Sequence, residues 1–111
     1  MSFKVIPTDP FDRQIKKLNK KYKSLKNDLA PLFDSLEDNP KQGESLGKHC
    51  YKIRLAIKSK GKGKSGGARL ITYVKIIDSI VYLLAIYDKS DKESMSDKEL
   101  NELLKVVGLQ P

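Results

Sequence analysis

The stretch YKIRLAIK, residues 51–58, decides the fold because apolar and cationic side chains alternate along it with a period of two. The apolar set is Tyr51, Ile53, Leu55 and Ile57, and the cationic set is Lys52, Arg54 and Lys58. Successive side chains of a strand point to opposite faces of a sheet. We therefore expect a strand with one face in the core and one cationic face.

Two more strand-like runs follow a connection rich in lysine and glycine over residues 58–67. Residues 68–77 alternate again and place Arg69 and Tyr73 on one side. Residues 80–87 are almost uniformly apolar, which is typical of a central strand covered on both faces. Antiparallel pairing of these runs should bring their cationic sides together.

Helical periodicity occupies the N-terminal part of the chain and its C-terminal end. Apolar side chains recur at spacings of three and four over residues 11–36, and a break near Ser24 predicts a helical hairpin. Residues 96–99 match a capping box that opens a last helix. With a short strand over residues 3–6, the predicted order is β-α-α-β-β-β-α. We expect an α+β fold, with a mainly antiparallel sheet and the helical hairpin packed on one face, in a single domain over residues 1–111.

Positive charge is concentrated in one segment of the chain. Residues 45–77 hold nine lysines and arginines and no acidic residue, although the formal net charge of the whole chain is only +8. The rest of the chain is therefore nearly neutral. A block of like charge destabilises a compact state and attracts polyanions, so a phosphate backbone is the expected partner.

A solvated, glycine-rich connection kept cationic for solubility is the alternative explanation of this block. It does not explain why Lys52, Arg54 and Arg69 share one predicted sheet face, because like charges on neighbouring strands are destabilising. An anionic ligand explains them better. The connection does not match a nucleotide-binding P-loop, since its glycines precede a strand and not a helix.

The basic block offers few groups for catalysis. His49 is the only histidine, and we interpret it as a solvent-facing residue. The block lacks the carboxylates that a two-metal nuclease centre needs. Cleavage of a phosphodiester would then depend on arginine to clamp phosphate oxygens and on a lysine of lowered pKa, or a tyrosine, to move a proton.

Composition and cysteine content indicate the class of protein. The chain is 39% hydrophobic and 32% charged, which predicts a soluble folded domain. It shows neither an apolar run long enough to span a bilayer nor a signal peptide, so a cytoplasmic location without membrane contact is expected. Cys50 is the only cysteine and is predicted to be a small buried hydrophobe.

Four segments, in their order and spacing, resemble the RelE/ParE superfamily of bacterial toxins from type II toxin–antitoxin pairs. They are YKIRLAI at 51–57, KGKGKSGG at 60–67, ARLITYV at 68–74 and LAIYDK at 84–89. The resemblance covers nearly the whole chain and is closest to the HigB-like RelE branch. It implies a RelE-like toxin domain.

The resemblance also implies a function. Such toxins are mRNA endoribonucleases that cut mRNA on the translating ribosome. The 2′-hydroxyl of the substrate attacks the adjacent phosphate, so no metal and no other cofactor is expected. The implied partners are a cognate antitoxin protein, mRNA and the ribosome, and a small-molecule ligand is not expected.

The resemblance and the strand alternation together propose the site residues. The catalytic set is Lys52, Arg54, Arg69, Tyr87 and Lys89, and the RNA-binding set is Lys58, Lys60, Lys62, Lys64 and Tyr73. Arg69 is expected to matter most, because charge stabilisation depends least on fine alignment.

The chain departs from the resemblance at one position. Ribosome-dependent relatives often have a tyrosine just before the last helix, where this chain has Met95, and Tyr87 or Tyr73 would have to substitute. The general base is therefore unassigned. Two other functions stay open: a ParE-like inhibitor of DNA gyrase, and a noncatalytic RNA-binding module that uses the same cationic face.

Overall fold

The structure, a computed structural model, describes residues 2–92 and 94–109. The strands are β1 (Lys4–Pro7), β2 (Glu44–Gly47), β3 (Cys50–Leu55), β4 (Ala68–Lys75) and β5 (Ile80–Asp88). The helices are α1 (Asp9–Lys21), α2 (Leu25–Asp38) and α3 (Asp97–Val106), and a single 3-10 turn occupies Lys64–Gly66. The predicted α+β fold is confirmed.

The five strands form one sheet in the order β1-β5-β4-β3-β2. β1 runs parallel to β5, and the other neighbours are antiparallel, as the sequence predicted for most of the sheet. Strand β2 was not predicted, because its four residues ESLG show no alternation of apolar and polar side chains. It pairs with β3 at the edge of the sheet and adds a residue to the candidate site.

Both faces of the sheet are covered. The helical hairpin of α1 and α2 packs on one face, where Leu25, Leu36 and Leu70 are fully buried. Helix α3 packs on part of the other face over a second cluster that includes Cys50. Cys50 is buried as predicted, and burial raises the pKa of its thiol to about 11. The remainder of that second face carries the cationic side chains.

A bulge between β4 and β5 sets the register of the cationic side chains. Ile71 pairs with Ala85, and Thr72 pairs with Leu83, so Leu84 is the extra residue. Leu83 packs in the cluster under the helical hairpin, whereas Leu84 and Ala85 both pack in the cluster under α3. This shift places the side chains of Ala85 and Tyr87 on the face that carries the cations.

The helix ends follow the predicted signals with one difference. The Ser96 hydroxyl accepts a bond from the Glu99 backbone N–H at 3.2 Å, and Gly108 ends α3 with a φ of 76°. Ser24 stands at the N-cap of α2, but its hydroxyl donates to Asp28 Oδ2 at 2.8 Å and accepts no backbone N–H of α2. Within residues 2–92 and 94–109, none of the helices has the length and apolar character of a membrane span.

Candidate nucleic-acid interface

Three of the predicted site residues form a continuous row across the central strands. Arg54 of β3 lies directly opposite Arg69 of β4, and Arg69 lies directly opposite Tyr87 of β5. Side chains that face each other in this way have Cβ atoms about 5 Å apart. We call Arg54, Arg69 and Tyr87 the cross-strand row. Strand alternation places Lys52, two residues before Arg54 in β3, on the same face.

The edge strand β2 brings a carboxylate to this face. Glu44 pairs in register with Lys52, and its Oε2 lies 3.9 Å from the Lys52 Nζ. The Glu44 side chain is 63% exposed, so the carboxylate is open to a ligand. The sequence interpretation missed this residue because Glu44 immediately precedes the acid-free block. The cationic face therefore contains an acceptor for protons as well as donors.

Tyr87 supplies a neutral hydrogen-bond donor at the end of the row. Its hydroxyl is buried, and it has no hydrogen-bond partner within the described part of the chain. Burial raises the pKa of Tyr87, Glu44 raises it further, and the charge of Arg69 opposes the rise. The phenol is therefore protonated at neutral pH. Lys92, a cation that the sequence interpretation also missed, lies over the Tyr87 ring with its Nζ 6.0 Å from the centroid.

Arg69 has a different environment from the one predicted. Its side chain is buried, with the residue only 3% exposed. The guanidinium donates to the backbone carbonyls of Lys64 at 2.9 Å, Ala68 at 3.0 Å and Ser65 at 3.3 Å. Two of these carbonyls, those of Lys64 and Ser65, belong to the 3-10 turn, so the guanidinium holds the turn against β4. Arg69 therefore stabilises the connection between β3 and β4, and its positive charge lies beneath the surface of the cationic face.

We expect Arg69→Lys to loosen this connection. An ammonium group lacks the planar fork that reaches three carbonyls at once. Amide hydrogen exchange over residues 63–67 should accelerate, and the free energy of unfolding should fall by roughly 1–3 kcal/mol. Exchange in this segment that stays as slow as in the wild type would show that the guanidinium does not hold the turn.

Lys60 was predicted to contact RNA, and the structure places it elsewhere. Its Nζ lies 2.5 Å from Asp88 Oδ1 and 2.6 Å from Ser90 Oγ. The side chains of Lys60 and Asp88 are only 8% and 0% exposed. This prediction is therefore corrected: Lys60 is bound by a buried carboxylate and is not available to a ligand.

Asp88 is the buried centre of a polar cluster that also includes Tyr22 and the exposed Lys21. The Tyr22 hydroxyl donates to Asp88 Oδ2, and the Lys21 Nζ lies 3.5 Å from the same oxygen. Burial alone would raise the pKa of Asp88, but the hydrogen bonds from Lys60 and Tyr22 outweigh it and hold that pKa well below its usual range. We call Asp88, Lys60, Tyr22 and Lys21 the Asp88 cluster.

The connection between β3 and β4 is consequently anchored at both ends, by Lys60 and by Arg69. A connection rich in glycine has a flexible backbone, and these two anchors hold it against the rest of the fold. The side chains of the other three lysines in the connection are exposed and make no hydrogen bond or ion pair within the described residues. These are Lys58, Lys62 and Lys64.

The two remaining predicted residues differ in their placement. Lys89 follows β5, and its backbone N–H donates to the Gly67 carbonyl at 3.0 Å, which places it beside the cross-strand row. Tyr73 lies toward the other end of β4 and is 5% exposed in the cluster under α3, with its ring 6.3 Å from that of Tyr82. The prediction that Tyr73 contacts RNA conflicts with this burial.

The fold and this face define a small α+β protein with a cationic sheet face. The sequence model of the family described as "RelE toxin of RelE / RelB toxin-antitoxin system" matches residues 4–109. The chain therefore belongs to the RelE toxin family, and it is the toxin of a toxin–antitoxin pair. The family implies an antitoxin as partner, whereas the assignment to a HigB-like branch stays a prediction.

A solved structure supports the fold independently. The E. coli toxin RelE, in the free state and with two arginines replaced by alanine, is similar to this chain with a TM-score of 0.63. The similarity covers 96% of this chain and 99% of that chain at 18% sequence identity. At this level of identity the comparison establishes the shared RelE-like fold.

Proposed function

We propose that this chain is an endoribonuclease that cuts mRNA on the translating ribosome without a metal ion. The observation that supports the proposal is the grouping of complementary side chains on one sheet face. Arg54, Arg69 and Tyr87 form the cross-strand row, and Lys52 and Glu44 lie beside it. Cations, a carboxylate and a protonated phenol together provide each role that phosphodiester cleavage by an internal nucleophile requires.

The cations of the exposed part of this face neutralise the reacting phosphate. Arg54 is exposed, and its guanidinium has no hydrogen bond or ion pair within the described part of the chain. Its planar fork can therefore bind two phosphate oxygens at once. Lys52 adds a second charge from the same strand. Both charges stabilise the additional negative charge that develops on the phosphate as the nucleophile attacks.

Glu44 is the group that accepts the proton of the nucleophile. In the proposed reaction the carboxylate takes the proton of the ribose 2′-hydroxyl, and O2′ forms a bond to the adjacent phosphorus. The bond from phosphorus to the 5′-oxygen of the next nucleotide breaks. The products are a 2′,3′-cyclic phosphate and a 5′-hydroxyl, so no water or oxidant is consumed.

Tyr87 donates its proton to the departing 5′-oxygen, which becomes the 5′-hydroxyl, and the proton taken up by Glu44 later returns to the phenol through solvent. The raised pKa of Tyr87 keeps its proton in place, which suits a donor and not a base. A buried hydroxyl without a partner costs about 1–3 kcal/mol, and a bond to an anionic oxygen would recover that cost. Tyr87 thereby supplies the hydroxyl group that Met95, just before the last helix, does not have.

We expect Glu44→Gln to lower kcat at least 100-fold, since general-base catalysis contributes about 10²–10⁴-fold. The amide keeps the shape of the side chain but accepts no proton, so KM should change little. Cleavage by the glutamine variant at close to the wild-type rate would assign the base elsewhere.

The function is tested with purified protein, programmed ribosomes and a defined mRNA. We expect cuts in the mRNA where ribosomes are bound and cleavage about 10²–10³-fold slower in variants that lack Arg54. A parallel assay measures supercoiling by DNA gyrase. Intact mRNA together with inhibited gyrase would replace the proposal by the gyrase-inhibitor function, and RNA binding without cuts would favour the noncatalytic module.

A further inference from the structure

Two neighbouring clefts extend from the cationic face along β3. Strand β2 pairs with β3 only as far as Lys52, so beyond that residue no strand within residues 2–92 and 94–109 covers the outer side of β3. The first cleft, of about 520 Å³, has Glu44 and Lys52 at one end. The second, of about 340 Å³, continues toward α2 and reaches Asn27 and Lys58.

The two clefts share one wall, which is cationic above an apolar floor. Gln42, Ile53, Arg54 and Lys64 line both of them. Ile53 is 6% exposed and forms part of the floor. Arg54 and Lys64 make no ion pair and no side-chain hydrogen bond to the described residues, so both charges are available to a ligand.

Both acidic residues of the clefts, Glu44 and Asp28, lie close to a cation or to hydrogen-bond donors. Glu44 pairs with Lys52 at 3.9 Å. Asp28 Oδ2 accepts the Ser24 hydroxyl at 2.8 Å and the Lys58 backbone N–H at 3.0 Å. The free charges on the shared wall are therefore positive, and they are complementary to a phosphodiester backbone.

We propose that these clefts form a subsite for the single-stranded RNA that flanks the cut phosphate, with Arg54 and Lys64 binding its backbone. The inference rests on the proposed function and extends it. It states that tight binding requires additional nucleotides on one side of the cut phosphate. Continuity supports it: Arg54 belongs both to the cross-strand row and to the shared wall. An RNA strand bound at the row passes directly into the first cleft.

The chain offers a matched pair of variants for this subsite. Lys62 and Lys64 lie two residues apart in the same anchored connection, and both are exposed. Lys64 lines both clefts, whereas Lys62 lines neither. Lys62→Ala and Lys64→Ala remove the same charge, so they differ only in their position relative to the subsite.

The experiment measures binding of 2′-O-methyl oligoribonucleotides, which the toxin cannot cut, to the purified full chain. A dinucleotide is compared with oligonucleotides extended by two nucleotides on the 5′ or the 3′ side. We expect one of the extensions to strengthen binding by about tenfold, as one charge-assisted phosphate contact allows. Lys64→Ala should abolish that gain. Lys62→Ala should weaken short and long oligonucleotides alike and preserve the gain.

Two results overturn the inference. The first is no gain from either extension, and the second is a gain that Lys64→Ala leaves intact. In either case cleavage of mRNA on the ribosome by the wild type would leave the proposed function standing. If the ribosomal assay also shows no cleavage, both proposals fail. Changes in the amide chemical shifts of Gln42 and Ile53 on titration with the longer oligonucleotide report occupancy of the clefts directly. If an acidic peptide binds the clefts and RNA does not, the clefts belong to a protein partner and the inference is overturned.

Discussion

Arg54→Ala should lower kcat for mRNA cleavage by about 10²–10³ while the protein stays folded. Removal of one positioned charge donor at a developing oxyanion costs about 2.7–4 kcal/mol of transition-state stabilisation. Arg54 is exposed and has no bonded partner among the described residues, so its removal leaves no buried group unpaired. Cleavage kinetics on programmed ribosomes and the free energy of unfolding, measured on the same preparation, separate the two effects.

Arg13→Ala provides the control for this prediction. Arg13 is an exposed arginine of α1 that lines a groove next to α3 and neither of the clefts along β3. Its removal changes the net charge by the same amount and should change kcat less than threefold. Equal losses in the two variants would mean that net charge, and not the position of Arg54, determines activity.

Asp88→Asn should destabilise the fold by about 3–5 kcal/mol, a large part of the stability of a small domain. The substitution preserves the shape of the side chain but leaves the buried ammonium of Lys60 without its counter-charge. The loss is measured by urea denaturation at neutral pH. A change of less than 1 kcal/mol would show that the Asp88 cluster contributes little to the fold.

The same cluster makes stability depend on pH in the acid range. Folding lowers the pKa of Asp88 below its ordinary value of 3.8, so the unfolded chain binds the proton more tightly than the folded chain. The stabilisation is fully present above that value and is lost as the pH falls from it toward the lower pKa of the folded state. The difference in unfolding free energy between wild type and Asp88→Asn should therefore shrink below a pH of about 4.

Asp78→Asn is the matched control for the buried pair. Asp78 accepts from Lys75 at 2.9 Å, but both side chains are nearly half exposed. Exposed pairs contribute about 0–1 kcal/mol. This variant should therefore change stability little.

The alternation along residues 51–58 was sufficient to predict which side chains share the cationic face. Period-two patterning depends only on local geometry, and it correctly assigned Arg54 and Lys52 to one side and Ile53 to the other. The break near Ser24 likewise separated α1 from α2, because helix periodicity and capping are local. The mainly antiparallel sheet followed from these assignments.

The role of Glu44 could not be predicted in this way. It depends on a four-residue edge strand without any periodic signal, and that strand places the carboxylate beside Lys52. The role of Lys60 also escaped prediction, because its partner Asp88 lies 28 positions further along the chain. Four lysines in one connection look equivalent in the sequence, and only tertiary contacts separate the buried one from the exposed ones.

The central claim is that the cationic face cleaves RNA through the substrate's own 2′-hydroxyl. The most direct measurement is cleavage, on programmed ribosomes, of a matched pair of mRNAs that differ by one 2′-deoxynucleotide at the mapped cut. The account predicts fragments with a 2′,3′-cyclic phosphate and a 5′-hydroxyl from the all-ribose mRNA and no cut at the deoxy position. Cleavage that persists at the deoxy position, or fragments that carry a 5′-phosphate, would contradict it.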